Sequence, residues 1–288
     1  MPVAHLADRA LVKVSGPQAA SFLDGLVTCD IEPDGDGLPQ FGALLTPQGK
    51  ILFDFIVHRT RDADGPAFFL DTARPQAADL AKRLTFYKLR AKVAVADLSE
   101  ELAILAGWDA PPIPAEAGLV GPDPRLSRLG WRAVVAAGDA SEFATAEPRA
   151  YHAHRIACGV PEGGKDFLFG EAFPHEALMD QLGGVDFRKG CYVGQEVVSR
   201  MQHRGTARTR ILPARYADDL APETGVDVMA GEKVAGKTGS AVDGAGLVMV
   251  RVDRIADAME AGAPLSAGGR PLTLQRPDWV SFETPGVG

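Results

Sequence analysis

Two apolar runs on either side of a tight-turn sequence constrain the fold of this chain more than any other feature. Phe41 to Leu45 and Ile51 to Arg59 are both predicted to be β-strands. Thr46-Pro47-Gln48-Gly49 lies between them, with proline in the second place and glycine in the fourth, as a tight turn prefers. The pattern therefore predicts a β-hairpin.

The elements predicted around this hairpin do not form a regular series of alternating strands and helices. Leu11 to Val14 predicts a strand, and Ser15-Gly16-Pro17-Gln18 predicts a helix start with Ser15 as its cap. Ala67 to Asp71 and Ala91 to Leu98 predict two further strands on either side of a helix from Pro75 to Tyr87. The order indicates an α+β fold with largely antiparallel sheets.

The sequence pattern in the second half of the chain changes near residue 206. Before it, residues 111 to 124 hold five prolines and predict an irregular loop, Trp131 to Ala136 predicts a strand, and helices are predicted near 141–146 and 149–157. After it, short β-like runs alternate with glycine-rich turns and predict a small barrel. We therefore expect α+β units at 1–98 and 99–205 and a C-terminal β-barrel at 206–288, with interleaving of the first two units left open.

Composition excludes several classes of protein. The formal net charge of −8 argues against general nucleic-acid binding, and no apolar run is long enough to span a bilayer. The cysteines, Cys29, Cys158 and Cys191, are odd in number and widely spaced, which favours reduced thiols over a disulfide framework. No signal peptide and no structural metal spacing are evident, so we expect a soluble, monomeric cytoplasmic protein without a bound metal.

The segment from Gly183 to Gly205 is the most unusual part of the sequence. Cys191 lies next to Gly190 and close to Arg188 and Lys189, and nearby cations favour a thiolate. These neighbours make Cys191 a candidate nucleophile, redox thiol or cluster ligand. The alternative interpretation is a small buried apolar residue, because free cysteine is often buried.

Three further features are candidates for a binding site. Asp54 interrupts an apolar strand, where it is predicted either to face a site or to face water from an edge strand. Seven cations lie between Arg188 and Arg215 with one acid, Glu196, and five more lie between residues 82 and 92. Each basic run is predicted either to bind an anion or an acidic partner, or to be a solvated face. His152 and His154 are interpreted as structural or surface residues, because their spacing is not that of a metal-binding helix.

Lys189-Gly190-Cys191-Tyr192-Val193-Gly194-Gln195-Glu196 resembles the signature of the YgfZ-type folate-binding proteins, a family that includes mitochondrial assembly factors for iron–sulfur proteins. The resemblance extends through residues 87–90 and 46–50 to residues 14–16, and so covers nearly the whole chain. The family is similar in fold to the glycine-cleavage aminomethyltransferase. It implies two α+β units and a β-barrel around a central opening that binds tetrahydrofolate or a related folate.

The resemblance also implies the residues of a site. Cys191 and Lys189 are the candidate catalytic residues. The candidate folate-binding residues are Asp54, Arg155, Lys189, Gly190, Cys191, Tyr192, Gly194, Gln195, Glu196 and Arg204. Two departures from the aminomethyltransferase argue against ordinary aminomethyl transfer: one aspartate, Asp54, stands where that enzyme has two, and Ala157 occupies the place of its pterin-binding glutamate.

These observations lead to one main functional hypothesis and two alternatives. The main hypothesis is a tetrahydrofolate-binding protein that assists the assembly or repair of iron–sulfur clusters in client proteins, with Cys191 in the chemistry. The first alternative is a folate-dependent aminomethyltransferase of glycine cleavage. The second is a non-catalytic scaffold whose basic stretch binds a partner protein or tRNA.

Overall fold

The computed structural model describes residues 1–31, 37–63, 65–205 and 207–287. These form two compact units, one from residues 1–151 and 182–195 and the other from residues 152–181 and 196 onward. The boundaries predicted near residues 98 and 205 stay a prediction. None of the described helices is long and apolar enough to cross a membrane.

The elements of the described chain are numbered in chain order. Its strands are β1 (Val3–His5), β2 (Arg9–Ser15), β3 (Gln40–Leu45), β4 (Ile51–Asp62), β5 (Gly65–Ala73), β6 (Ala94–Asp97), β7 (Leu102–Gly107), β8 (Gly118–Pro122), β9 (Trp131–Ala136), β10 (Thr209–Tyr216), β11 (Asp227–Ala230), β12 (Lys233–Val242), β13 (Ala245–Arg251), β14 (Leu265–Ala267) and β15 (Arg270–Leu274). Its α-helices are α1 (Ala19–Asp24), α2 (Ala77–Tyr87), α3 (Ala140–Phe143), α4 (Pro148–Ala157), α5 (Gln195–Arg204) and α6 (Val252–Glu260).

The first unit contains a five-stranded antiparallel sheet in the order β3-β4-β5-β2-β6. The predicted hairpin is confirmed: β3 pairs with β4, and the Gly49 amide donates to the Thr46 carbonyl across the turn at 2.8 Å. One face of the sheet is apolar because alternate residues of each strand point the same way. Phe55 of β4 packs there in one core with Leu23 of α1 and Leu84 of α2.

A second, four-stranded antiparallel sheet has the order β1-β7-β9-β8. The prediction of an irregular loop across residues 111–124 is wrong for Gly118–Pro122, which forms the edge strand β8. Pro122 is tolerated because it ends an edge strand, where the sheet does not need a backbone amide donor from that residue. Leu11 of β2 and Ile104 of β7 share an apolar cluster with Tyr151, so apolar contacts join the two sheets.

A network of charged side chains is also buried in the first unit. Asp71 on β5 accepts hydrogen bonds from Arg9 Nε at 2.7 Å and from Arg132 Nη1 at 2.6 Å. Burial works to raise the pKa of Asp71, but Arg9 and Arg132 hold it below its ordinary value. His58 is buried beside these charges, and burial lowers its pKa to about 4, so the imidazole is neutral at pH 7.

Asp123 forms the other half of this network. Its Oδ2 accepts from Arg125 Nη2 at 2.7 Å and from Arg132 Nε at 3.0 Å. Both arginines also donate to the hydroxyl of Tyr151, at 2.9 and 2.7 Å. Removing one member of such a network leaves a buried charge without its partner, so the network fixes the arrangement of the strands that carry it.

The second unit contains a closed barrel in the order β10-β13-β12-β11-β14-β15. The predicted C-terminal barrel and the α+β, antiparallel fold class are therefore confirmed. The sequence patterns did not predict β11, β14 or α6. Short strands such as β14, with three residues, carry too few alternations to be distinguished from a turn.

The predicted cap of the first helix is wrong. Ser15 ends β2, the N-cap of α1 is Gln18, and no side chain caps this helix by a hydrogen bond. Gly16 has a φ of +120°, and the backbone of Lys92 lies where a side chain would be, so this position needs glycine. Gln18 instead accepts a hydrogen bond from the Lys92 amide at 2.7 Å.

Candidate functional site

Residues 182–195 form a loop segment of the first unit, and hydrogen bonds to the chain before β3 hold its start. The Thr28 hydroxyl donates to the Gly184 carbonyl at 2.6 Å and accepts from the Ala43 amide at 2.8 Å. The Asp186 amide donates to the Thr28 carbonyl at 2.9 Å. Thr28 is fully buried, so water does not compete with these bonds.

Lys189 fixes the middle of this loop. Its ammonium contacts four oxygens: the carbonyl and Oδ1 of Asp24 at 2.8 Å each, the Val27 carbonyl at 3.0 Å and the Cys29 carbonyl at 2.7 Å. An ammonium has three hydrogens, so these contacts fill its donor capacity. The side chain is 2% exposed. Because α1 ends at Asp24, the positive charge also lies at the negative end of that helix.

The electrostatics of this contact favour the ion pair. Burial of Asp24 works to raise its pKa, but the hydrogen bonds from Lys189 and from the Ile31 amide hold it below its ordinary value. Tyr192 lies under the same ammonium, with its ring centroid 5.8 Å from Nζ, and burial raises its pKa to about 12. Tyr192 therefore keeps its hydroxyl proton at neutral pH.

Gly194 anchors the end of the loop to the β3–β4 turn. Its φ is +82°, and a Cβ built on it would lie 2.5 Å from the Thr46 carbonyl oxygen. Only glycine fits a left-handed conformation with backbone so close. Gly190 differs, because a Cβ there would meet no atom within 4 Å. The side-chain amide of Gln195 donates to the Gly190 carbonyl at 3.3 Å.

Cys191 is exposed on this anchored loop, whereas Cys29 is buried and Cys158 is partly buried. Burial raises the pKa of Cys29 to about 12, so that thiol stays protonated. The interpretation of Cys191 as a small buried residue is excluded by its exposure. Arg188 and Lys189 were expected to favour the thiolate form of Cys191, and the structure gives this no direct support. The Lys189 ammonium is bonded to Asp24, and the Arg188 side chain is 94% exposed beside Asp186.

Two other residues of the signature belong to α5. Gln195 begins the helix, and Glu196 pairs with Arg200 one turn later, at 2.6 Å between Oε1 and Nη2. Both partners are exposed, so the pair adds little stability. Arg204 is exposed in the last turn. Four of the seven cations between residues 188 and 215 are in ion pairs within the described chain, which reduces the charge free to bind an anion.

Asp54 lies on β4, the second strand of the five-stranded sheet, and is 4% exposed. The interpretation as an edge-strand aspartate facing water is therefore wrong. Strand alternation places Asp54 on the same side as His58 and on the opposite side from the apolar core that contains Phe55. Its carbonyl accepts from the Thr72 hydroxyl at 2.9 Å.

Arg155 is fully buried in the second unit and contacts several partners there. It donates to Asp166 Oδ2 at 2.7 Å, to the Ser240 hydroxyl at 2.8 Å and to the Val160 carbonyl at 3.0 Å. Glu162 Oε2 lies 3.3 Å from its Nε. These contacts give Arg155 a structural role that joins α4 to β12. Ala157, two residues later, is exposed and offers no polar group.

The barrel is similar to a domain of a known protein family. Residues 208–282 match the C-terminal β-barrel domain of CAF17. The iron–sulfur cluster assembly factor IBA57 homologue of Chaetomium globosum is 36% identical over 261 residues, covering 80% of this chain. The mouse factor is 33% identical over 284 residues, covering 87% of this chain and 78% of the relative.

The chain belongs to the IBA57 family of iron–sulfur cluster assembly factors. The human member is 31% identical and covers 96% of the chain, with 84% of its own length matched. The chain spans 60%, 55% and 57% of the length of the Chaetomium globosum, Neurospora crassa and Mycosarcoma maydis relatives. The resemblance drawn from the signature is confirmed at this level, and assignment to its bacterial branch stays a prediction.

IBA57 relatives also correct one expectation. All the relatives named here are mitochondrial proteins, which overturns the cytoplasmic location expected from the sequence.

The fold extends beyond the IBA57 family to a known enzyme. The glycine-cleavage aminomethyltransferase of Bartonella henselae has a TM-score of 0.75 and 17% identity, covering 100% of this chain and 88% of that one. At this identity the likeness shows the fold alone. The expected aminomethyltransferase-like fold is thus confirmed, while the site residues inferred from the resemblance stay predictions.

Proposed function

We propose that this chain assists the assembly or repair of iron–sulfur clusters in client proteins, and that the thiol of Cys191 contacts the iron. One observation carries the proposal: Cys191 is exposed on a loop that close contacts of Lys189 and Gly194 hold on both sides of it. A thiolate is a preferred ligand of iron in clusters. Coordination would form an Fe–S bond and release the thiol proton to solvent.

The anchoring of the loop matters because a ligand held in place loses little conformational freedom on binding. Lys189 fixes the chain two residues before Cys191, and Gly194 fixes it three residues after. Lys189 is therefore proposed as a positioning residue. A direct part for Lys189 in the chemistry stays a prediction with less support, since its hydrogens are already used.

We also propose that the chain binds tetrahydrofolate or a related folate, with Asp54 on the wall of the site. A buried carboxylate fits the polar edge of a pterin, which presents hydrogen-bond donors. Arg155 and Lys189 do not fit a role as ligands for the folate tail, because protein oxygens occupy their donors. Arg204 is exposed and stays among the predicted folate-binding residues.

The role of Cys191 in cluster assembly is tested in cells, separately from folate binding. In cells lacking this protein, the activity of an iron–sulfur enzyme is measured after expression of the wild type, Cys191→Ser or Cys158→Ser. We expect rescue by the wild type and by Cys158→Ser but not by Cys191→Ser. Full rescue by Cys191→Ser would contradict the thiol role.

Folate binding is measured on the purified protein. Tetrahydrofolate should raise the melting temperature of the wild type as its concentration passes the dissociation constant. The effect should be weaker in Asp54→Asn and unchanged in Asp227→Asn, an exposed aspartate of the barrel. No stabilisation of the wild type at any concentration would contradict folate binding without affecting the proposal for Cys191.

The alternative function, aminomethyl transfer in glycine cleavage, is tested with the same purified protein. Ala157 presents a methyl group where the aminomethyltransferase has a glutamate, so we expect no release of ammonia from an aminomethylated carrier protein. Enzyme-like rates of release would contradict the cluster proposal and favour the aminomethyltransferase.

A further inference from the structure

The end of α2 and the turn after it expose an unusual combination of side chains. From Leu80 to Ala96 the sequence has five cations and no acid, in a chain whose net charge is −8. Within the described residues, none of these cations forms an ion pair with a carboxylate. The exposed cations and large apolar side chains of this segment are here called the α2 surface: Lys82, Arg83, Phe86, Leu89, Arg90 and Lys92.

Two large apolar side chains project from the α2 surface. Phe86 is 71% exposed and Leu89 is 86% exposed, the highest value for a large apolar residue in the described chain. The buried face of α2 is already used, because Leu80 and Leu84 pack in the core of the five-stranded sheet. Phe86 and Leu89 are thus additional to what the fold needs.

The backbone of Leu89 is strained. Its φ is +43°, in the left-handed region that a branched side chain rarely adopts. Among the described residues, three of the four other non-glycine residues with positive φ are aspartates, which tolerate this region, and the fourth, Leu178, is fully buried. Leu89 alone combines strain with exposure, a combination that the folded chain by itself does not explain.

The neighbouring chain holds Leu89 in this position. The Lys88 amide donates to the Leu84 carbonyl at 3.0 Å at the end of α2. The Ala91 amide donates to the Lys88 carbonyl at 2.6 Å, closing a turn around Leu89. The Lys92 amide is bonded to Gln18. The apolar side chain is therefore presented to solvent on a fixed backbone rather than on a loose loop.

We propose that the α2 surface docks an acidic segment of a partner protein that carries apolar side chains among its carboxylates. Arginine and aromatic side chains are the common anchors of protein interfaces, and the unpaired cations complement an acidic partner. A nucleic acid is less well matched, since bases stack on aromatic faces and leave an aliphatic anchor such as Leu89 unused. A membrane is less well matched too, because surface-bound helices present a continuous apolar face to lipid.

Binding is measured by fluorescence anisotropy of a labelled synthetic peptide in which leucine and phenylalanine are spaced among glutamates. We expect the wild type to bind it, with affinity falling as salt increases. Leu89→Asn should weaken binding about tenfold without lowering the melting temperature, because asparagine tolerates the left-handed region. Leu220→Asn is the control, because Leu220 is another exposed leucine but follows Asp218 and Asp219, and this variant should bind as the wild type does.

A second pair of variants tests the charges. Arg90→Glu and Lys233→Glu change the net charge equally, but only Arg90 lies on the α2 surface, so only Arg90→Glu should weaken binding. Cys191→Ser should bind the peptide as the wild type does, which separates this proposal from the one for cluster chemistry.

Several outcomes would overturn the proposal. One is peptide binding that is absent or unaffected by Leu89→Asn. A melting temperature clearly lowered by Leu89→Asn would give that leucine a structural role instead. Binding of polyglutamate as tight as that of the peptide would show that apolar side chains of the partner do not contribute. Tighter binding of total tRNA or of phosphatidylserine vesicles, lost in the same variants, would assign the surface to nucleic acid or lipid.

Discussion

The ammonium of Lys189 lies 2.8 Å from Oδ1 of Asp24, a residue 165 positions earlier in the chain. The same ammonium reaches three carbonyl oxygens at the end of α1 and just beyond it. One side chain thus ties the loop that carries Cys191 to the first helix of the fold. The signature residue expected to act on the thiol also holds the loop that carries the thiol.

Replacing Lys189 should destabilise the protein. Lys189→Ala removes the hydrogen bonds that the ammonium donates to the Asp24 carboxylate and to three carbonyls, so the free energy of unfolding should fall by about 2 kcal/mol. Urea unfolding measures the change. Arg188→Ala is the matched control, because that side chain is almost fully exposed, and it should change stability by less than about 0.5 kcal/mol. Equal effects of the two variants would contradict the anchoring role.

The two glycines of the signature should respond differently to alanine. Gly194→Ala forces a side chain onto a left-handed backbone and against the Thr46 carbonyl, so stability should fall by roughly 1–3 kcal/mol. Gly190→Ala meets open space and should be tolerated. Thermal unfolding of both variants is the measurement. A tolerated Gly194→Ala would mean that the β3–β4 turn and the loop do not pack as described.

The three thiols should differ in reactivity in the folded protein. Cys191 is exposed, Cys158 is partly buried and Cys29 is buried with its pKa raised to about 12. We expect maleimide to modify Cys191 first and Cys29 only after unfolding. Peptide mass spectrometry after a time course identifies each site. Early modification of Cys29 would show that its surroundings open in the native state.

Acid should destabilise the protein partly through His58. Its pKa is 6.5 when unfolded and about 4 when folded, with burial as the main cause and Asp71, Arg132, Asp123 and Arg9 as its charged neighbours. Between these values the unfolded chain binds a proton that the folded one does not, so stability falls as pH falls through this window. The loss reaches about 3 kcal/mol.

The measurement for His58 is the slope of the unfolding free energy against pH. His58→Gln should flatten the slope between pH 6.5 and 4, because the substituted residue does not titrate. His203→Gln, which replaces an exposed histidine, should keep the wild-type slope. An unchanged slope in His58→Gln would assign the acid sensitivity to the carboxylates instead, among which Asp24, Asp71 and Asp123 have lowered pKa values.

Local patterns predicted the parts of the fold that repeat over enough residues. The β3–β4 hairpin was predicted because both strands are long and the turn has its own residue preferences. Ser15 fits a helix cap in the sequence because serine is common at helix starts, and only the pairing of β2 with β5 shows that it ends a strand. The edge strand β8 does not stand out in the sequence, because its apolar run is short and most of the prolines of residues 111–124 lie close beside it.

The buried charges lay outside what local patterns could predict. Asp71 ends an apolar run and resembles a strand-end aspartate in the sequence, yet it is fully buried between two arginines from other strands. The two arginines lie 61 and 62 positions from Asp71 in the sequence, so no local pattern indicates that they pair with it. The same holds for Arg155, whose side chain donates to Asp166 and to Ser240, a residue 85 positions later in the chain.

By itself the sequence determined the fold class, the barrel, the signature around Cys191 and the membership of an iron–sulfur assembly family. These follow from periodicity, turn chemistry and a run of consecutive residues, all of which are local properties. Only the tertiary structure decided that Cys191 is exposed, that Asp54 is buried and that Lys189 is an anchor. The reason is physical: burial and hydrogen-bond partners depend on which distant segments pack together, and the Lys189 ammonium finds its acceptors more than 150 residues away.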